Sequence, residues 1–297
     1  MKIPGTLYVV ATPIGNLEDL SVRAGRVLNE VDVIACEDTR HTRLLLQRHG
    51  IARPLVSYHE HNEQTRAPEL LRRLVAGESV ALVSDAGTPV LSDPGFTLVQ
   101  QAIAAGVPVV AVPGPSAITA ALSVAGLPTD RFLFLGFLPR KAGERRRALA
   151  EVATIPWTLV LFEAPHRMAQ TLRDLHATLG DRQIVVVREL TKKFEEIIRG
   201  TVSQVTHRLQ QTPWRGELTL VVAGAEAIRG PHKFAPVNLW GQGATPPGDP
   251  AAHLRALLSS GILVKEAIRE VAQMHRLRRR VVYEMALQLR GKRPRGG

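Results

Sequence analysis

The sequence predicts an α/β protein with two α/β domains, the first built on a parallel-rich sheet and the second on a mixed sheet, followed by a small helical, helix-turn-helix-like domain. Three observations lead there. Up to about residue 115, short apolar runs alternate with amphipathic stretches, the pattern of βαβ units. From 116 to 226 the apolar runs follow one another more closely, so some neighbours pair antiparallel. A Gly/Pro-rich break then separates these domains from a basic helical tail. The expected boundaries are 1–115, 116–226, a linker at 227–249, and the tail at 250–297.

In the first domain, Thr6-Leu-Tyr-Val-Val-Ala11, Val31-Asp-Val-Ile-Ala35, Val80-Ala-Leu-Val83 and Val107-Pro-Val-Val-Ala-Val112 read as strands. Their doubled aliphatics suit strands buried on both faces. Helical patterns lie between them at 21–29, 42–49, 65–76 and 96–105. In the second domain, strands are expected at 131–135, 158–162, 183–187, 195–199 and 217–222, with helices at 144–153, 166–179 and 202–211. Gly230-Pro231, Gly241, Gly243 and Pro246-Pro-Gly248 mark the linker, ordered in part around Trp240. Gly241-Gln-Gly243 has no strand before it and so carries no nucleotide fingerprint. Three helical patterns follow, at 250–258, 264–275 and 278–289. The last two, joined by a tight turn at Arg276-Leu277, fit a helix-turn-helix-like unit or a small helical cap at an oligomer interface.

Composition narrows the class of partner. The 297 residues carry a formal charge of +11. The last 48 residues hold 11 Lys/Arg against 3 Asp/Glu, and so contribute +8 of it. Such a tail suits a polyanion, whose counterions it displaces, or serves only to keep the chain soluble. The single cysteine, Cys36, rules out an intrachain disulfide and a Cys-rich zinc site and fits a reducing compartment. With no signal-peptide core and no apolar run of membrane-spanning length, a soluble, cytoplasmic protein is expected. His59-Glu-His61 has only a superficial metal-ligand spacing, and no metal is expected. Aromatic residues make up only 4% of the chain, too few for an RNA-stacking sheet face, so any nucleic acid is recognised by charge and shape.

Chemistry concentrates in loops that follow strands. Thr12-Pro-Ile-Gly-Asn16, Ser84-Asp-Ala-Gly-Thr-Pro-Val-Leu-Ser-Asp-Pro-Gly95 and Pro113-Gly-Pro-Ser-Ala117 each break an apolar run with Gly and Pro. In open α/β sheets ligands bind beyond the carboxyl ends of the strands, so three such loops point to one shared crevice. The Ser84–Gly95 loop alone also reads as a surface turn that caps a helix, with Asp93-Pro94 before Phe96. None matches a P-loop or Gly-x-Gly-x-x-Gly. A ligand held by backbone groups, such as an adenosyl group with an amino acid, fits better than a polyphosphate.

With Cys36-Glu-Asp-Thr-Arg40, Glu163-Ala-Pro-His-Arg167 and Arg188-Glu-Leu-Thr-Lys192 added to these loops and to Thr6–Leu17, six ordered motifs spread over about 5–226. Together they resemble the tetrapyrrole-methylase superfamily, in its branch of ribosomal RNA small subunit methyltransferase I, with the tail similar to that branch's C-terminal extension. The resemblance implies an S-adenosylmethionine-dependent methyltransferase with the cofactor between the two α/β domains. It implies a homodimer that methylates the ribose 2′-hydroxyl of a decoding-region cytidine in 16S rRNA of the small ribosomal subunit. The family's cofactor loops map onto Thr12, Pro13, Asp85, Gly87, Thr88, Pro89, Ser116, Ala117, Phe162 and Glu163, and more weakly onto Thr219. Of the two loop aspartates, Asp85 is expected to touch the cofactor and Asp93 to brace the loop.

Methyl transfer needs alignment above all, and a neutral ribose hydroxyl is a poor nucleophile unless a base or cation assists it. Asp38, Arg40, His59, Glu60 and Lys192 are the expected catalytic residues around the target nucleotide. The alternative for Asp38 or Thr39 is an N-cap, and for Lys192-Lys193 a solvated turn. Arg140-Lys141 and Arg145-Arg-Arg147 are expected to hold phosphate or to lie on an exposed helix face. Two other functions fit parts of the pattern. A precorrin or uroporphyrinogen methyltransferase shares the cleft but needs no basic tail, and its first loop ends in Gly-Asp-Pro where this chain has Thr-Pro-Ile-Gly-Asn-Leu. A non-catalytic RNA-binding assembly factor would keep the fold alone.

Overall fold

The computed structural model of the chain describes residues 3–209, 215–225, 249–259, 264–275 and 277–291. The linker reading around Trp240, Gly241 and Gly243 lies outside them. The chain divides into a unit at 1–228 and a unit at 229–297.

The first unit holds two five-stranded sheets. Strands β1 (Leu7–Val10), β2 (Val33–Cys36), β3 (Leu55–Ser57), β4 (Val80–Val83) and β5 (Val109–Val112) form the first, in the order β3-β2-β4-β1-β5. Every pairing in it is parallel. Helices α1 (Val22–Glu30), α2 (Thr39–Arg48), α3 (Glu63–Val75) and α4 (Phe96–Ala104) connect the strands. One face packs Leu70 and Leu74 of α3 with Leu98 and Ala102 of α4 against Leu7, Val80 and Leu82. The other packs Val27 and Leu28 of α1 with Leu46 of α2 against Val10, Ile34 and Val83. Burial on both faces explains why β2 and β4 are apolar at every position. The edge strand β3 has three half-buried residues behind Arg53-Pro54, too short a run to signal itself in the sequence.

The second sheet joins β6 (Phe132–Phe137), β7 (Thr158–Glu163), β8 (Gln183–Arg188), β9 (Glu196–Thr201) and β10 (Leu218–Val222) in the order β6-β7-β10-β8-β9. It is mixed: β6 and β7 run parallel, whereas β10 is antiparallel to both β7 and β8, and β9 to β8. Helices α6 (Ala142–Glu151), α7 (Met168–Leu179) and α8 (Val202–Leu209) cover one face. The opposite face is covered by α5 (Ala117–Ala125), whose Ile118, Ala121 and Leu122 pack on Val160, Val185 and Val221. This helix was not expected from the sequence. Its run Ala-Ile-Thr-Ala-Ala-Leu-Ser-Val-Ala has no charged face to reveal a helical period.

In the second unit, α9 (Pro250–Ser259), α10 (Val264–Met274) and α11 (Arg279–Gly291) enclose a core that includes Leu254, Leu257, Val271 and Val282. Asp249 accepts from the Ala251 and Ala252 amides and starts α9. Arg255, Lys265, Arg269 and Arg278 to Arg280 face outward. Among the described residues no helix is long and apolar enough to cross a membrane.

Candidate active site

In a parallel sheet all strands end at the same edge, so the loops after β1, β2, β4 and β5 come together there. The loop after β1 is pinned to the loop after β4 by an antiparallel bridge between Thr12 and Gly87, whose amides and carbonyls bond reciprocally at 2.8 and 3.0 Å. Thr12 is buried, and its hydroxyl donates to the Ser84 carbonyl at 3.1 Å. The Thr88 hydroxyl reaches the Pro115 carbonyl at 3.3 Å and adds the loop after β5. The Asp38 amide donates to Asp85 Oδ1 at 3.0 Å and adds the loop after β2.

Facing this edge, the second sheet supplies the carboxyl ends of β7 and β8 and, because β10 runs the other way, its amino end. Thr219 pairs with Phe162 on one side and Val187 on the other. All three residues line a cleft of about 480 Å³ between the two sheets, within the size range of small-molecule sites. Gly216, just before β10, has a φ of +84°, and a Cβ there would lie 2.2 Å from Glu189 Oε1. Glycine adopts this conformation without strain and leaves room for the Glu189 side chain.

Of the expected cofactor residues, Asp85, Gly87, Thr88, Ser116, Ala117, Phe162, Glu163 and Thr219 line the cleft. Thr12, Pro13 and Pro89 do not line it; they are buried in the loops that form its wall. Glu163 lines it with its oxygens already engaged. It accepts from the Ala164 amide at 2.8 Å and from the Thr171 hydroxyl, and Arg167 lies 3.2 Å away.

None of the five expected catalytic side chains lines this cleft. Asp38 is the N-cap of α2 and pairs with exposed Arg40 at 2.7 Å. That hydrogen-bonded pairing holds its carboxyl well below the usual range. Glu60 is exposed. His59 is half-buried; its amide donates to Asn62 Oδ1 at 2.8 Å, and its Nε2 lies 3.2 Å from Asn62 Nδ2. Lys192 lines a separate groove, with Nζ 3.1 Å from Glu189 and 3.2 Å from Glu217. Burial pulls its pKa down, but hydrogen bonds to Glu189 and Glu217 outweigh it and raise the value, so Lys192 stays cationic. Of the basic residues expected to hold phosphate, Arg145 is buried and bound to Asp174 at 2.7 Å and to two backbone carbonyls. It braces α6 against α7.

Two carboxylates outside the expected site residues also line the cleft: Glu37, and Asp93, which was expected only to brace its loop. Burial pushes the Asp93 carboxyl up to about 6, helped by the charges of Glu37 and Asp85 and opposed by a hydrogen bond from Ser84. Burial also raises Glu37, as do the charges of Asp85, Asp38 and Glu60, while His59 opposes them. Both residues stood within motifs that the sequence singled out. Asp85, which lies between them, is the one tied to the Asp38 amide. The cleft therefore has an apolar floor, including Ile118, Phe162, Val187 and Leu218, and an acidic rim of Glu37, Asp85 and Asp93. Backbone strain also gathers here. Among the described residues, the four non-glycine residues with positive φ are Val90, Ser92, Glu189 and Thr191, in the two loops that flank the cleft. No group of three or more His, Cys, Asp or Glu residues with metal-site geometry occurs among the described residues.

The family model for Tetrapyrrole (Corrin/Porphyrin) Methylases matches residues 6–206. The chain is 44% identical to Ribosomal RNA small subunit methyltransferase I of Halalkalibacterium halodurans over 95% of this chain and 94% of that protein. It is 45% identical to the protein of the same name from Pseudomonas aeruginosa over 97% and 99%. Among solved structures, uroporphyrin-III C-methyl transferase from Thermus thermophilus, complexed with S-adenyl homocysteine, superposes with a TM-score of 0.54 at 23% identity over 76% of this chain and 99% of that one. Diphthine synthase does so at 0.58, with 18% identity over 74% and 90%. The two-sheet architecture, the family match across both sheets and relatives alike over nearly the whole length lead to one conclusion: this chain belongs to the tetrapyrrole methylase family, in the branch of ribosomal RNA small subunit methyltransferase I.

Proposed function

We propose that this protein is an S-adenosylmethionine-dependent methyltransferase that modifies the ribose 2′-hydroxyl of a decoding-region cytidine in 16S rRNA. The observation that carries the reading is the common name of relatives 44–45% identical over almost the entire chain. The chemistry of the cleft agrees with it. An apolar floor suits an adenosyl group, and the acidic rim suits a ligand that carries an ammonium and a sulfonium. Thr88, Ser116, Ala117, Phe162 and Thr219 would hold the cofactor, with Thr12, Pro13 and Pro89 fixing the loops. When bound, it supplies an electrophilic methyl group.

The chain's own residues supply alignment and a proton acceptor. Asp93 and Glu37 are half-buried carboxylates of raised basicity at the cleft rim, and we assign Asp93, supported by Glu37, as the base for the hydroxyl proton. Asp38, Arg40, His59, Glu60 and Lys192 surround the nucleotide from outside the cleft, Lys192 as a cation. The exposed arginines of the tail act as a further RNA-binding arm, and the active form is a cytoplasmic homodimer.

Tritiated-methyl transfer to 30S subunits, naked 16S rRNA and a tetrapyrrole tests the reading. The expected product is 2′-O-methylcytidine in rRNA, identified by nucleoside mass spectrometry. Transfer to a base, or to the tetrapyrrole alone, would overturn it. Deleting 250–297 is expected to weaken RNA binding and flatten its salt dependence without changing cofactor affinity. Light scattering of the purified protein checks the dimer.

A further inference from the structure

The loop after β1 does more than wall the cleft. Ile14 lines the cleft, whereas the residues that follow it, Gly15 to Glu18, line a second and more open hollow of about 820 Å³. The turn after β8 is divided in the same way, with Leu190 in the cleft and Thr191 to Lys193 in the hollow. The two segments are latched where they meet. The Asn16 amide donates to Thr191 Oγ1 at 3.1 Å, and a Cβ on Gly15 would lie 2.5 Å from Lys192 Cγ. The hollow therefore begins one residue beyond the cleft wall.

Its third side is the end of α2, Arg48 and His49. Arg48, His49 and Lys193 are exposed, and neither Arg48 nor Lys193 forms an ion pair among the described residues. The charge of Lys192 is already met by Glu189 and Glu217, so the free cations of the groove are those of Arg48 and Lys193. Glu18 is the one carboxylate among the lining residues. The lining thus carries an excess of exposed cations over carboxylates, set among Leu17 and the aliphatic parts of the other side chains, and such cations suit the phosphodiester backbone of a nucleic acid.

We propose that this groove is a phosphate subsite that seats the backbone of the acceptor RNA next to the reacting nucleotide. The inference rests on the RNA-methyltransferase reading. It gives the exposed cations of α2 and of the β8–β9 turn a task separate from catalysis.

The test reverses Arg48 and Lys193 together in the full-length protein (R48E/K193E), with R72E/R173E as a control of equal charge change on exposed positions elsewhere. A neutralising pair, R48Q/K193Q, serves if the reversed pair does not fold. Three quantities are read: affinity for S-adenosylhomocysteine, affinity for a fluorescein-labelled single-stranded RNA over a range of salt, and KM for 30S subunits. The groove variant is expected to bind S-adenosylhomocysteine normally, to lose about tenfold or more in RNA affinity, and to show a salt slope shallower by roughly 0.7 per lost phosphate contact. KM for the subunit should rise with kcat little changed. Unchanged RNA affinity and slope, or a loss no larger than the control's, would overturn the subsite and leave the methyltransferase reading intact. Wild-type protein that neither binds nor methylates RNA would overturn the parent reading, and the subsite with it.

Discussion

The two sheets reach the same cleft by different routes. In the first, every strand is parallel, so polar loops after successive strands collect at one edge and deliver Glu37, Asp85, Asp93 and Ser116. In the second, antiparallel β10 sits between β7 and β8, so the edge mixes strand ends with a strand start. It delivers the apolar floor of Phe162, Val187 and Leu218 together with the Gly216-Glu217 turn. The parallel half carries the carboxylates whose pKa burial raises, and the mixed half carries shape. Variants in the two halves should therefore fail differently.

The largest effect is expected from the parallel half. Asp93→Asn should lower methyl transfer about 100- to 1,000-fold, in the range of a lost general base, with cofactor affinity changed far less. In the wild type, kcat/KM should rise with pH through about 6, as Asp93 loses its proton, and that limb should vanish in the variant. The stability effect has the opposite sign. Because the folded-state pKa is raised, the native state favours the protonated form, and this contribution is lost as pH rises from about 4 to 6. Above that range Asp93→Asn should stabilise the fold by about 1 kcal/mol, a figure reduced for the residue's partial exposure. Melting temperatures at pH 4 and pH 8 check the sign. A variant that loses cofactor binding and activity in parallel would break the division of labour.

Next comes the mixed half. Gly216→Ala puts a Cβ on Glu189 at positive φ and should cost roughly 2–3 kcal/mol, read by denaturant melts. Cofactor affinity should fall with it, while the pH limb of the remaining activity should stay in place. Thr191→Ala removes the acceptor for the Asn16 amide and should cost about 1 kcal/mol, with cofactor affinity lowered several-fold. Arg40→Ala should have the smallest effect, leaving denaturant melts unchanged, because its pairing with Asp38 is largely solvent-exposed.

The same contrast explains what the sequence revealed. Loops that break apolar runs with Gly and Pro announced the parallel edge, and Asp85, Gly87, Thr88 and Ser116 were legible for that reason. Glu217 and Gly216 were not, because a polar turn before a strand looks like any other turn and only the β7-β10-β8 order brings it to the cleft. Asp38 and Glu37 show a finer limit. Adjacent acids in one motif look alike in sequence, yet a cap geometry turns Asp38 to the start of α2, while Glu37 lines the cleft. Strand β3 and helix α5 were missed because one is too short and the other too uniformly apolar to show a period.

The hydrogen bond between Asn16 and Thr191 spans 175 residues of chain. At about 5–20 residues per second of synthesis, the second partner emerges roughly 10–35 s after the first. During that interval the first sheet can form from local βαβ units, but the cleft has no floor and the groove lacks its side at Thr191 to Lys193. A nascent chain therefore lacks the finished cleft until the second sheet has been made. The cleft is completed late, when β8 and β10 join, so truncated translation products should carry the motifs of the first sheet without the cleft they line.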